Sequence, residues 1–194
     1  MRKKNIKAAI GLVLIGLLIC PVSAVPSFPD VDETSEYAEA VEYLKDIGIM
    51  RGDDKGNFNP NKTVTRAEMA TIICNMLGET ENLAASEAFT DVPINHWANK
   101  YITKAKELGV ISGYGNKKFG PNDNVTYEQT VTMIVRAVGY MQEAQEAGGY
   151  PDGFLLVAQN NGWLDGIMAE KGEFLSRADI ATVLFNYYSA DILN

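Results

Sequence analysis

The sequence predicts an all-α protein of three helix-loop-helix repeats closed into a pseudo-threefold bundle, and three observations carry that prediction. Phe28-Pro29-Asp30-Val31 returns as Phe89-Thr90-Asp91-Val92, an offset of 61 residues. Without a gap, the same offset aligns Gly48 with Gly109, Gly52 with Gly113, Phe58 with Phe119, Pro60 with Pro121, Val64-Thr65 with Val125-Thr126 and Gly78 with Gly139. Self-similarity at a fixed period marks one structural unit used more than once. Within each unit, apolar residues recur at helical spacing on both sides of a loop rich in Gly, Asn and Pro.

In the first unit Tyr37, Ala40, Val41, Leu44 and Ile47 form one helical stripe. Gly48 follows it, where a left-handed C-terminal residue ends a helix. The loop runs over 51–62, and the second helix opens at Thr65 with Met69, Ile72, Ile73, Met76 and Leu77 on one face. A divergent third unit begins at Tyr150-Pro151-Asp152-Gly153, read against Phe28-Pro29-Asp30-Val31. In it Gly162 and Gly166 serve as the loop glycines, and Leu175-Ser176-Arg177-Ala178-Asp179 stands in place of Val64-Thr65-Arg66-Ala67-Glu68. Its second stripe is Ile180, Val183, Leu184, Tyr187 and Tyr188, and its loop is shorter, 11 positions from Gly166 to Arg177 against 14 from Gly52 to Arg66. The units thus span 28–78, 89–139 and 150–193, joined by connectors 79–88 and 140–149. Helix pairs this short cannot bury an apolar face alone, so the three are expected to share one core and to leave similar clefts between neighbours.

Residues 1–24 read as a secretory signal peptide: Arg2, Lys3, Lys4 and Lys7 precede a 13-residue uncharged run, Ala8 to Cys20, and Val22-Ser23-Ala24 ends on small residues. Spanning a bilayer takes about 20 apolar residues, more than this run provides. Bulky Ile19 also disfavours lipid attachment at Cys20. Loss of those four cations takes the formal net charge from −8 to −12, which excludes bulk attraction to nucleic acid or to an anionic membrane. An anionic partner then has to be held by local cations. Cys74 is the one cysteine left, so no intrachain disulfide is available.

No paired carboxylates, metal-ligand cluster or activated nucleophile is grouped in the chain, so neither an enzyme, a metal nor a cofactor is expected. His96 is the only histidine and reads as an exposed or capping residue; Cys74 reads as a small buried one. Gly52-Asp53-Asp54-Lys55-Gly56-Asn57 is oxygen-rich, but without the alternating ligands and terminal Glu of a calcium loop it reads as a polar turn.

Thr65 with Glu68, Thr126 with Gln129 and Ser176 with Asp179 have capping-box spacing and are read as structural caps. That leaves Arg66 and Arg177 unexplained. Each falls in the first helical turn, where a cation opposes the helix dipole at a cost of about 0.3–1 kcal/mol. A local rule broken twice at equivalent positions points to function, and an Arg fork beside free amides suits a carboxylate. In the second unit Tyr127 replaces the arginine, with Glu128-Gln129 in place of Ala-Glu, so its groove is expected to be weak or altered. Trp97, which faces Glu36 in the alignment, is read as half core and half groove wall. Asp30 and Asp91 are read first as turn-forming acceptors that also border the groove. Gly52 and Gly113 are read as supplying unusual backbone angles, with room for a sugar if they line the cleft.

Together, Phe-x-Asp-Val, the Gly-x-x-x-x-x-Phe-x-Pro loop and Val-Thr-Arg-Ala-Glu resemble the S-layer homology module of exported bacterial proteins, which occurs as three tandem copies. The resemblance covers 28–193. It implies a non-catalytic anchor, secreted and held at the cell wall or S-layer, whose inter-repeat grooves bind a secondary cell-wall polymer carrying pyruvate ketals, or a peptidoglycan-linked glycan. Self-assembly or cargo proteins would be further partners. Carried onto this chain, the family's main ligand contact falls on Arg66 and Arg177. The alternative is a helical-repeat adaptor whose clefts receive another polypeptide.

Overall fold

The structure is a computed structural model that describes residues 28–192; the signal-peptide reading of 1–24 and the last two residues lie outside it. Among the described residues there are seven α-helices and no strand: α1 (Ala38–Asp46), α2 (Arg66–Met76), α3 (Asn99–Glu107), α4 (Tyr127–Ala137), α5 (Met141–Glu146), α6 (Asp152–Asn160) and α7 (Arg177–Ile192). None is long and apolar enough to cross a membrane.

The helices pair across units. α2 packs on α3, α4 on α6, and α7 returns to α1, so that the second helix of each unit lies against the first helix of the next. None of these close pairs joins the two helices of one unit. Three isolated antiparallel bridges follow the same cyclic order: Thr65 with Asn124, Thr126 with Phe174, and Ser176 with Thr63. One core results, containing Leu44, Phe58, Met69, Ile73, Ile102, Phe119, Phe154, Ile180 and Leu184, all fully buried. Each such side chain stabilises the fold by about 1.5–3 kcal/mol. Ile47 departs from its predicted place in the stripe. It is the C-cap of α1 and is exposed, because the chain turns away there into Gly48.

The third unit is in a different register from the one its opening residues suggest. α1, α3 and α6 are each nine residues long, and each is followed two residues later by Gly48, Gly109 or Gly162. This register places Tyr150 where Trp97 stands, and Asp152 begins α6 instead of preceding it by eight residues as Asp30 precedes α1. The place of Phe-x-Asp-Val is taken by α5, which lies within the stretch predicted as a connector. Ala144 on α5 is fully buried, and its carbonyl is so close to Gly153 that a Cβ there would overlap it. A short helix in van der Waals contact with α6 thus replaces the loop-forming segment.

Gly52 and Gly113 do not have the left-handed φ expected of them. Their missing side chains instead make room: a Cβ on Gly52 would lie 2.6 Å from Phe28 Cε1, and one on Gly113 would overlap the Lys118 carbonyl and sit 2.7 Å from Phe89 Cε1. The phenylalanine of Phe-x-Asp-Val therefore packs directly against the loop glycine, with its ring centroid 5.4 Å from that of Phe58 in the first unit and 5.2 Å from that of Phe119 in the second. Gly113→Ala, whose new atom meets rigid backbone, is expected to cost about 1–3 kcal/mol in urea unfolding. An unchanged midpoint would contradict the close-packing account.

Candidate functional site

Each second helix starts in a capping box. Thr65 Oγ1 accepts from Glu68 N at 3.3 Å while Glu68 Oε2 accepts from Thr65 N at 2.8 Å. Thr126 and Gln129 do the same at 3.4 and 3.5 Å, and Ser176 and Asp179 at 3.1 and 2.8 Å. These boxes satisfy two amides per helix. The next amides are not open to a ligand, contrary to the expectation from sequence. Arg66 N donates to Asp123 O at 2.8 Å and Ala67 N to Pro121 O at 3.0 Å; Arg177 N donates to Lys62 O at 2.9 Å and Ala178 N to Pro60 O at 3.0 Å; Tyr127 N donates to Glu173 O at 2.7 Å. The neighbouring loop fills the site that an anion would have used.

The arginine side chains follow their amides into that neighbouring loop. Arg66 donates from Nε to Phe119 O and from Nη2 to Ser112 O, both at 2.8 Å. Arg177 repeats this one unit round, Nε to Phe58 O at 2.7 Å and Nη2 to Arg51 O at 2.8 Å. Asp30 and Asp91 hold the same loops from within their own units. Asp30 accepts from Phe58 N and Asn59 N at 2.8 and 2.6 Å, and Asp91 from Phe119 N and Gly120 N at 2.8 Å each. Each loop phenylalanine is thus tied at its amide by its own aspartate and at its carbonyl by the neighbour's arginine. Both guanidinium groups sit 4.6 Å from the ring of that phenylalanine.

The two arginines differ in what covers them. Arg66 is 4% exposed, because Tyr114 lies on its other face at 4.5 Å. At the position of Tyr114 the first unit has Asp53, whose carboxylate is turned into its own loop by Lys55 N, Asn57 N and Asn59 Nδ2. Arg177 therefore keeps one face uncovered, and its Nη1 donates to no hydrogen bond among the described residues. Burial lowers the pKa of both arginines, but an arginine stays protonated at any physiological pH.

Arg177 lines a cleft of about 500 Å³ together with Arg51, Gly52 and Glu68 of the first unit and Trp97 and Tyr101 of the second. All three units thus contribute to it. Trp97, at 60% exposure, is mostly wall and little core, stacked against His96 at 5.8 Å. His96 Nδ1 accepts from Ala98 N at the start of α3. Glu68 is engaged elsewhere, 2.6 Å from Lys62 Nζ. Cys74 is fully buried, and burial raises its thiol pKa to about 11. Among the described residues no group of three or more His, Cys, Asp or Glu could hold a metal.

The cleft therefore unites Arg177, Trp97 and Gly52. Arg66 and Gly113 fall on the next unit boundary, and Tyr127 on the third, beside a loop that lacks the Phe-x-Pro pattern. Sequence reasoning missed Arg51 and Tyr101. It also missed Tyr114, although the 61-residue offset sets Tyr114 opposite Asp53 and would have shown the two arginines to be unequally covered.

Two tests follow. Arg66→Ala strands two carbonyls and a ring face, and is expected to cost about 2–5 kcal/mol in urea unfolding. Arg66→Lys should recover only part of this, since an ammonium lacks the fork; full recovery would contradict the two-carbonyl grip. Burial alone would raise the pKa of Glu68 and of Asp91, but the Lys62 and Thr65 contacts of Glu68, and the Phe119 and Gly120 amides on Asp91, outweigh it, leaving both below their ordinary 4.5 and 3.8. Their contribution is complete above those values and is lost as pH falls through the lowered ones. The unfolding midpoint should therefore drop on acidification below pH 4.5, and by less in Asp91→Asn.

Comparison with known proteins adds a family to this geometry. A cell surface protein of Thermoanaerobacter kivui is 35% identical over 190 residues, covering 93% of this chain and 24% of that protein. The surface-layer 125 kDa protein of Lysinibacillus sphaericus is 36% identical over 136 residues, 70% of this chain and 11% of its own length. The S-layer protein sap of Bacillus anthracis is 32% identical over 136 residues, with 70% and 16% covered. The chain spans about a quarter or less of these relatives. Residues 27–70 and 88–131, the bulk of the first two units, match the S-layer homology domain.

Proposed function

We propose that the chain is a non-catalytic anchoring module of the bacterial cell surface, that residues 150–192 are a third and divergent S-layer homology copy, and that the ring of cross-unit contacts is pseudo-threefold. Its ligand is an acidic wall polysaccharide, a secondary polymer carrying pyruvate ketals being the chemistry that fits best. The two family matches and the cell-surface and S-layer names of the relatives support the location and the anchoring role.

The observation that carries the ligand reading is the pairing, in one cleft, of a half-open guanidinium and an exposed indole. Arg177 is held rigid by two carbonyls and a phenylalanine ring, so little side-chain entropy is lost when its remaining donors meet a carboxylate. Trp97 gives a pyranose a flat apolar face to lie on. Arg51 adds a second positive charge at the rim. The boundaries are unequal on this reading. The third has Tyr127 and Glu36 and no arginine latch, so it lacks the cation that an acidic glycan needs.

Trp97→Ala tests this without touching the latch. Retention on purified wall from which protein has been stripped by protease is expected to fall by roughly tenfold, the effect of about 1.4 kcal/mol of lost contact, with the unfolding curve unchanged. Undiminished retention would remove the cleft from the account. Retention that disappears when the wall is protease-treated would favour a polypeptide partner.

A further inference from the structure

The repeat read in the sequence is not the unit that packs. Cross-unit contacts divide the described residues into three packing units, of which two are continuous stretches. One is 65–124, where Arg66 reaches Phe119 O, 53 residues along; the other is 126–175, where Thr126 bridges Phe174 and Tyr127 N donates to Glu173 O. The third joins two distant stretches, 28–63 and 176–192. Arg177 grips Phe58 O across 119 residues, its amide donates to Lys62 O, Ala178 N donates to Pro60 O, and Thr63 bridges Ser176.

Residues 28–63 therefore pack as a piece of the unit that α7 builds. α1 pairs closely with α7 and with no other helix, and Tyr43 meets Phe185 and Tyr188 with ring centroids 5.4 and 5.9 Å apart. Phe28, Val41, Leu44, Met50 and Phe58 of this stretch are buried, as are Ile180, Val183 and Leu184 of α7. Polar ties to its own α2 include Asn75 Nδ2 to Ile49 O at 3.1 Å and the Lys62–Glu68 ion pair. The crossing into the next packing unit is short, Thr63-Val64-Thr65. Val64 O already accepts from Val125 N, and Thr65 is extended, with φ −79° and ψ 160°, so 28–63 can swing about this point without melting a helix.

Once detached, 28–63 and α7 each expose an apolar face, and the matching face outside their own chain is the same boundary of another copy. The closed chain and an exchanged pair make the same contacts there, so chain entropy sets the balance between them. Association overtakes closure as protein concentration approaches the effective concentration of the tethered segment, about millimolar. We propose that 28–63 is an exchangeable closing segment whose partner is a second copy of this chain: in the dimer, each chain's 28–63 seats on the other chain's α7. No ligand enters this inference, and it stands apart from the wall-glycan reading.

Thiol trapping tests it, because Thr63 and Ser176 face each other in an antiparallel bridge, within the span of a disulfide. Thr63→Cys and Ser176→Cys are placed on separate full chains, each also carrying Cys20→Ser; Cys74 is buried and stays. The two chains are unfolded in urea, refolded together at millimolar concentration under reduction, diluted to micromolar and oxidised. A disulfide-linked dimer with one chain of each kind is expected on a denaturing gel, well above its statistical share against the two like-chain dimers. It should be missing when the chains are folded separately at micromolar concentration and then mixed. A merely statistical share, or no linked dimer, would overturn the exchange. Ser176 also caps α7, so if that variant folds poorly, light scattering on the unsubstituted chain decides. Refolding at millimolar concentration should then yield a dimer that survives dilution to micromolar for as long as opening of the closed boundary takes. Monomer throughout, or a dimer that separates at once on dilution, would overturn the proposal.

Discussion

An arginine at the start of one unit's second helix closes the loop of the next unit. Arg66 and Arg177 each supply two charge-assisted hydrogen bonds to carbonyls that would otherwise be stranded, and each guanidinium covers a phenylalanine ring that the adjacent core needs buried. The backbone amides beside them bond to the same loops. These contacts explain why the helices pair between units: a unit taken alone has an unlatched loop and an uncovered helix face. They also explain why a cation is tolerated in a first helical turn, since its charge is carried into the neighbouring unit and away from the helix's own amides.

On the proposed reading, structure and binding draw on the same side chain. Arg177 holds the loop with Nε and Nη2, so that what remains of the fork is already oriented toward the cleft. The choice of residue in the facing loop then decides whether the remainder is accessible. Asp53 folds back on its own turn and leaves Arg177 open, while Tyr114 covers Arg66. The third boundary shows the converse. The loop of 150–192 has lost the phenylalanine whose carbonyl an arginine would grip, and the residue aimed at it is Tyr127, joined to Glu173 O through its amide alone. The loop phenylalanine and the arginine that would grip its carbonyl are absent together at this boundary.

The fold was legible where duplication was unbroken. An ungapped offset of 61 residues fixed both helices and the loop of the first two units, and the capping spacings located the helix starts to the residue. The third unit misled because Tyr150-Pro151-Asp152-Gly153 imitates Phe28-Pro29-Asp30-Val31 in sequence while it occupies the register of Trp97, and because α5 carries no trace of the segment it replaces. The arginines stood out as violations of a dipole rule, which showed that they had a role without showing what they grip. Contacts between units separated by tens of residues leave no local signature. The loop glycines were misassigned for the same reason: the ring that requires their missing Cβ comes from 24 residues away, Phe28 on Gly52 and Phe89 on Gly113.

Native-state hydrogen exchange tests the cyclic closure most directly. The amides of Arg66, Val125, Tyr127 and Arg177 join successive units. If the ring is one cooperative object, all four should exchange only through global unfolding, at the rate of the buried amides of α2 and α4. Arg177 or Tyr127 exchanging orders of magnitude faster than the α2 core, with 150–192 opening as an independent piece, would contradict it.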